Sequence, residues 1–287
     1  ILIVFFAMFL MKHEDDLNTA KTIFKAIGLL LLPLALVISQ PDLKNTITIT
    51  VVFCAMMYLA GLSYKVIGGV LAVAIPLILL LLFLVTQTDF QLPEPLDSTI
   101  GYQLDRIRTW NDPDAEENSN GAIQQNNSIT AIGSGQLTGK GLNNNKVSSA
   151  NKGNFVAEIH NDFIFAVAGE ELGFIGCCAI ILILSLIVFQ CIRIGRRAKD
   201  EAGMLIACGV GTLVAFQSFL NIGVATGILP NTGTTLPFVS YGLTSLWTFF
   251  IGMGLVLNVG LQNRNFVTRN DELLRRKTVY EHRIHRT

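Results

Sequence analysis

Residues 163–192 read FIFAVAGEELGFIGCCAIILILSLIVFQCI, and no charged residue interrupts the run from Leu172 to Ile192. A helix rises ~1.5 Å per residue, so roughly 20 apolar residues cross the hydrocarbon core of a bilayer. This stretch is long enough, and Arg193, Arg196 and Arg197 end it. Runs of the same kind stand at approximately 22–39, 46–62, 66–86, 203–228 and 236–262. A shorter one, ILIVFFAMFLM at 1–11, opens the chain with neither the basic n-region nor the cleavage site of a signal peptide, and reads as a helix entered partway. Pro33 and Pro76 fall inside spans and should kink them. The expected fold class is all-α: a polytopic transmembrane helix bundle of about six full spans plus a partial one, with a long extracellular loop.

Composition agrees with that reading. The chain is 51% hydrophobic and 15% charged, whereas a soluble domain carries about 25% charged residues. Its formal net charge of zero offers no field for nucleic acid. The five cysteines, Cys54, Cys177, Cys178, Cys191 and Cys208, all sit in apolar runs with no His or carboxylate at ligand spacing. They read as packing residues, and neither a disulfide nor a metal cluster is expected.

The chain divides into transmembrane helices over 1–86, a large loop over 87–162, three further membrane helices over 163–262, and a charged tail over 263–287. Basic residues orient it. Lys12, Lys21, Lys25, Lys65, Arg193, Arg196, Arg197, Lys199 and every basic residue of the tail fall on one side. Lys44, Arg106, Arg108, Lys140, Lys146 and Lys152 fall on the other. The richer side is expected to be cytoplasmic, with the C-terminus, and loop 87–162 extracellular. The basic tail, with RRK at 275–277, suits anionic membrane lipid rather than nucleic acid. On this topology three polar stretches share the outer face: Gln40-Pro41-Asp42, the loop end His160-Asn161-Asp162, and Pro230-Asn231-Thr232-Gly233. Polar groups gathered at one face of a bundle mark a functional site there.

Asp162 is the leading candidate for chemistry. It stands where a polar loop meets an apolar helix, a partly desolvated setting in which a carboxyl becomes a usable base. Helix capping is the competing role for Asp162, with Asn161 able to take it instead, and for Asp42, which opens a span beside Pro41. His160 is suited to orienting Asp162 or binding an anion, or is a solvated loop residue. Glu170 and Glu171, about two turns into the helix at membrane depth, read as mainly structural, one of them pairing with a buried Arg or capping another helix. Arg106, Arg108 and Lys140 are outer-face cations, suited to phosphate contact or to solvent. The GSGQLTGKG stretch around Lys140 lacks P-loop spacing and follows no strand, so it is not a nucleotide site. Thr232 belongs to a re-entrant turn. Ser240 and Tyr241 are expected on the helix that follows, within reach of a neighbouring helix or of substrate.

Several stretches together resemble one family. QPDL at 40–43 is similar to the QPDLGT motif of the SEDS (RodA/FtsW/SpoVE) proteins, and departs from it after the Leu with Lys44-Asn45-Thr46. YQLDRIRTWNDP at 102–113 resembles the family's YQ-x-x-RI-x-x-x-x-DP. AIGSGQLTGKG at 131–141, HNDFIFAVAGEELGFIG at 160–176 and ILPNTGTTLPFVSYG at 228–242 match further motifs in the same order. Asn161 departs from the usual Thr, and Leu243-Thr244-Ser245 from the usual Gly-Ser pattern. A family P-S-E-x-x-K stretch, whose Glu and Lys line the cavity, would precede Ile1. YQ-x-x-RI and the Pro-Phe-Val-Ser-Tyr string lean toward the RodA branch.

The resemblance implies a peptidoglycan glycosyltransferase of the bacterial plasma membrane, polymerising lipid II into β-1,4 glycan strands for elongation or division. It implies Asp162 as catalytic base. Arg106, Lys140, His160, Asp42, Thr232, Ser240 and Tyr241 are the candidates for substrate contact. It also implies a single-span class B penicillin-binding protein as partner. No dedicated cofactor site is expected, although a divalent cation (Mg or Mn) bridging the pyrophosphate would fit the chemistry. Two alternatives remain open: a lipid II flippase or transporter, against which stands the lack of an internal repeat, and a non-catalytic scaffold that activates a transpeptidase.

Overall fold

The computed structural model describes residues 1–40, 42–70, 72, 76, 101–111, 119–142 and 161–262. Among them the chain is helical: α1 (Leu2–Lys12), α2 (Ala20–Ile38), α3 (Leu43–Leu59), α4 (64–70), α5 (Tyr102–Asn111), α6 (Ser119–Ser134), α7 (Ile164–Gly195), α8 (Glu201–Ala225) and α9 (Leu243–Gln262). Four of these, α2, α7, α8 and α9, are long and apolar enough to cross a membrane, and α1 and α3 are shorter apolar helices. The span expected at 66–86 and the tail at 263–287 lie almost wholly outside the described residues.

Helix α8 is the axis of the bundle. Over half of its apolar window is buried, 56% against 17% for each of α2, α7 and α9. Small residues make this possible, because they let neighbouring backbones approach closely. A β-carbon on Gly209 would stand 3.0 Å from Ile3 of α1 and 3.1 Å from Met56 of α3. One on Gly211 would lie 3.0 Å from Cys191 of α7. Cys191 and Cys208 are buried in these seams, the packing role expected of them. A cluster of Phe6, Leu10, Phe53, Met56 and Leu205 joins α1, α3 and α8. At the basic end Asp200 caps α8, accepting a hydrogen bond from the Gly203 amide at 2.8 Å.

Three boundaries differ from expectation. Helix α7 contains a break at Gly173 (φ 69°, ψ −167°), a conformation that only glycine adopts without strain. Residues 174–195 alone suffice for a span. Glu170 and Glu171 therefore sit on a separate helical segment before the straight span, not two turns within it. The last span begins at Leu243 rather than 236, because Leu236–Ser240 forms a tight turn with Phe238 at φ 64°. Ser240 and Tyr241 thus precede α9 instead of lying on it. Finally, loop 87–162 carries two helices, α5 and α6. These are fastened to the end of α8, whose last carbonyls have no helical donors. Gln125 donates to the Val224 and Leu229 carbonyls at 2.9 and 2.8 Å, Ser128 to Ala225 at 2.8 Å, and Trp110 to Gly227 at 3.0 Å.

Candidate functional site

The turn between α8 and α9 returns the chain through Pro230-Asn231-Thr232-Gly233, and Gly233 takes a positive φ of 66°. Three charged side chains from three distant parts of the chain meet there. A β-carbon on Gly233 would lie 3.1 Å from Oδ2 of Asp162, 3.8 Å from Nζ of Lys44 and 3.9 Å from Nη1 of Arg106. The missing side chain is what leaves room for them. Lys44 donates to the Gly233 carbonyl at 2.5 Å, and Arg106 to the Asn231 carbonyl at 2.9 Å. The stretches around Asp42, Asp162 and Gly233 are thereby brought to one place, together with α5 of the long loop.

The scaffold under this cluster is polar and buried. Asn221 of α8 is fully buried, and its Nδ2 donates to the carbonyls of Asp162 (2.7 Å) and Thr234 (2.6 Å). One side chain thus fixes the backbone of both loops. Ser240, also buried, donates to the Asn161 carbonyl at 2.6 Å and accepts from the Leu236 amide at 2.7 Å. Thr232 and Thr234 share a hydroxyl–hydroxyl hydrogen bond of 2.6 Å, which stiffens the turn. The half-buried Asp162 follows Asn161 directly, so its position is set by contacts made on either side of it. The N-cap position of α7 belongs to Phe163, not to Asp162 or Asn161.

Other candidates go elsewhere. Asp42 caps α3: its carboxylate accepts from the Asn45 amide (3.1 Å) and the Asn45 side chain (2.7 Å). Capping, the competing role expected of it, is present in the structure. Lys140 forms a 2.7 Å ion pair with Glu170, which is only 2% exposed. A glutamate here was expected to pair with an Arg or to cap another helix; its partner is this Lys. The amides of Lys140 and Gly141 donate to the carbonyls of Glu170 and Glu171, and those of Phe174 and Ile175 return to Gln136 and Leu137. Gly139 and Gly141 at φ 80° and 93° allow that close docking, so the glycine-rich stretch clamps the break in α7. Tyr241 is 84% exposed. His160 lies outside the described residues, as does the side chain of Arg108. Among the described residues no three His, Cys, Asp or Glu side chains gather as metal ligands would.

Sequence reasoning missed Lys44 and Asn221 as site residues. Lys44 carried one signal, as an outer-face cation two residues past Asp42. Asn221 carried a weaker one, an amide inside an apolar helix.

Chemically, a carboxylate beside two cations can accept a proton and hold an adjacent anion within a few ångströms. A family model described as cell cycle protein (FtsW, RodA, SpoVE) matches residues 1–265. A probable peptidoglycan glycosyltransferase FtsW of Idiomarina loihiensis is 34% identical over 265 residues, covering 91% of this chain and 60% of the relative. The protein of the same name from Haemophilus influenzae is 32% identical over 266 residues, covering 91% and 62%. The chain spans about three-fifths of the length of these curated relatives. Two solved structures share the fold. One, described as showing structural coordination of polymerization and crosslinking by a peptidoglycan synthase complex, gives a TM-score of 0.65 at 22% identity, over 91% of this chain and 68% of that one. The other, a mutant of the rod shape determining protein RodA of Thermus thermophilus, gives 0.54 at 20%, over 90% and 64%. FtsW and RodA names both occur among these proteins.

Proposed function

The chain belongs to the FtsW/RodA/SpoVE cell cycle protein family, and from that premise we propose that the protein of which it forms part polymerises lipid II into β-1,4 glycan strands at the outer face of the plasma membrane. The observation that carries the reading is the meeting of Asp162 and Arg106 at Gly233. Asp162 takes the proton from the 4-hydroxyl of the acceptor sugar. The hydroxyl oxygen attacks the anomeric carbon of the donor from the face opposite the leaving group, which inverts an α-linked donor to a β-linked product. The carbon–oxygen bond to the lipid pyrophosphate breaks, and the electron pair leaves with the pyrophosphate. Arg106 supplies positive charge where that negative charge develops. A divalent cation carried by the pyrophosphate would add to the same field. Asn221, Thr232, Thr234 and Ser240 hold the two loops so that base and cation keep their separation.

On this reading the opposite face, which the excess of Lys and Arg in the short loops and tail favours, is cytoplasmic. A single-span transpeptidase of the penicillin-binding class is the partner this reading carries, in line with the solved complex that couples polymerization to crosslinking. The test uses the full-length protein, purified with that partner and given labelled lipid II in detergent. Strands that a muramidase digests to disaccharide units are the expected product. Transfer of lipid II across a bilayer with no polymer formed would overturn the polymerase reading in favour of transport.

A further inference from the structure

The cation at residue 44 is not what its place at the start of a helix calls for. It occupies the first turn of α3, where the helix dipole favours acidic side chains and opposes a positive charge. It stands beside Arg106, a second cation near the same point, and like charges so placed repel. The stretch it belongs to resembles a motif with Gly at this position. Helix formation therefore does not explain Lys44, and neither does the neighbouring turn, since many neutral donors would serve the Gly233 carbonyl equally well. Two cations and one carboxylate surround the space beside Gly233. An ammonium has three donors, and the turn takes one of them.

We propose that Lys44 is a ligand of the diphosphate of the lipid-linked donor, completing with Arg106 a two-cation grip beside Asp162. The inference rests on the polymerase reading and names the group that its site holds. A diphosphate carries charge on two adjacent phosphorus centres, so one cation leaves half of it uncompensated. Arg106 offers a planar fork and Lys44 a mobile point charge, a combination that suits two phosphates at different distances. When the donor bond breaks, the charge on the leaving diphosphate grows and the grip tightens.

The experiment measures binding by the full-length protein of two probes, inorganic diphosphate and farnesyl diphosphate. Variants are Lys44→Met, Lys44→Gly and Lys44→Arg, each checked for an unchanged melting temperature. Lys44→Met and Lys44→Gly should weaken both probes at least about tenfold, as expected for loss of one charge-assisted contact, and Lys44→Arg should restore most of the affinity. Wild-type affinity for both probes in folded Lys44→Met and Lys44→Gly proteins would overturn the proposal and leave Lys44 as a tie to the Gly233 turn. Weakening confined to inorganic diphosphate would overturn its assignment to a lipid-linked donor. If Lys44→Met does not fold, Lys44→Gly against Lys44→Arg decides. Polymerisation is scored separately. A wild type that polymerises while binding is independent of Lys44 refutes this inference alone. A wild type that binds diphosphate through Lys44 but forms no polymer upholds the site and refutes the polymerase reading.

Discussion

Replacing Asn221 with Ala removes a side chain that ties both site loops to the central helix. Its Nδ2 makes two hydrogen bonds, to Asp162 and Thr234, at 2.7 and 2.6 Å. Each contributes about 1 kcal/mol net, and each buried carbonyl left without a donor costs about 1–3 kcal/mol. The Asp162 carbonyl is only partly buried, so water can recover some of its loss, whereas the Thr234 contact is buried. The Oδ1 atom of Asn221 has no partner among the described residues, so its removal offsets a little of the cost. A destabilisation of about 2–4 kcal/mol follows, which lowers the melting temperature by roughly 5–10 °C for a chain of this size. The effect on catalysis should exceed that on stability. A base displaced by about 1 Å loses on the order of a hundredfold in rate, even at temperatures where the protein remains folded. The assay is lipid II turnover at a temperature well below both melting transitions, with melting followed in parallel. Turnover within about threefold of wild type, in a variant shown to be destabilised, would refute the claim that Asn221 sets the position of Asp162.

Removing Lys140 should destabilise the protein more than neutralising its partner. Lys140→Met strands a carboxylate that is 2% exposed, whereas Glu170→Gln leaves a lysine that is 34% exposed and can turn to water. Unfolding in a denaturing detergent should show about 3 kcal/mol lost in the first and about 1 kcal/mol in the second; equal losses would contradict the assignment. Gly233→Ala puts a β-carbon 3.1 Å from the Asp162 carboxylate on a backbone at φ 66°, so it should cost about 1 kcal/mol or more of stability and most of the polymerase activity. Wild-type turnover there would refute the crowded geometry. Asp42→Ala should lose about 1 kcal/mol of cap and keep polymerising; abolished turnover in a stable Asp42→Ala protein would return Asp42 to the substrate site.

Much of the architecture was legible in the sequence because a bilayer imposes a simple rule: long uncharged runs become helices. The same rule put the polar stretches at Asp42, Asp162 and Gly233 on one face, and contacts from Lys44, Arg106 and Asp162 to one turn bring them together. The break at Gly173 was not legible, since glycine is common inside membrane helices and the close docking of Leu137 and Gly139 is what distinguishes this one. The start of α9 was misjudged because Leu236, Pro237 and Phe238 are apolar enough to extend a hydropathy run although they form a turn. The partner of Lys140 and the place of Lys44 were hidden for a related reason. Both are cations expected on the same face, and which one meets a glutamate and which meets the Asp162 cluster depends on contacts distant in sequence. Asn221 fell within an apolar helix, and nothing local marked it as the anchor of two loops.

The most direct measurement compares wild type with Asp162→Asn in the full-length protein, following lipid II binding and glycan-strand formation side by side. The substitution keeps the shape of the side chain and removes its ability to take a proton. The account requires that the variant bind lipid II as the wild type does and form no strands. Strands of normal length from Asp162→Asn would contradict it, and would place the base on another residue.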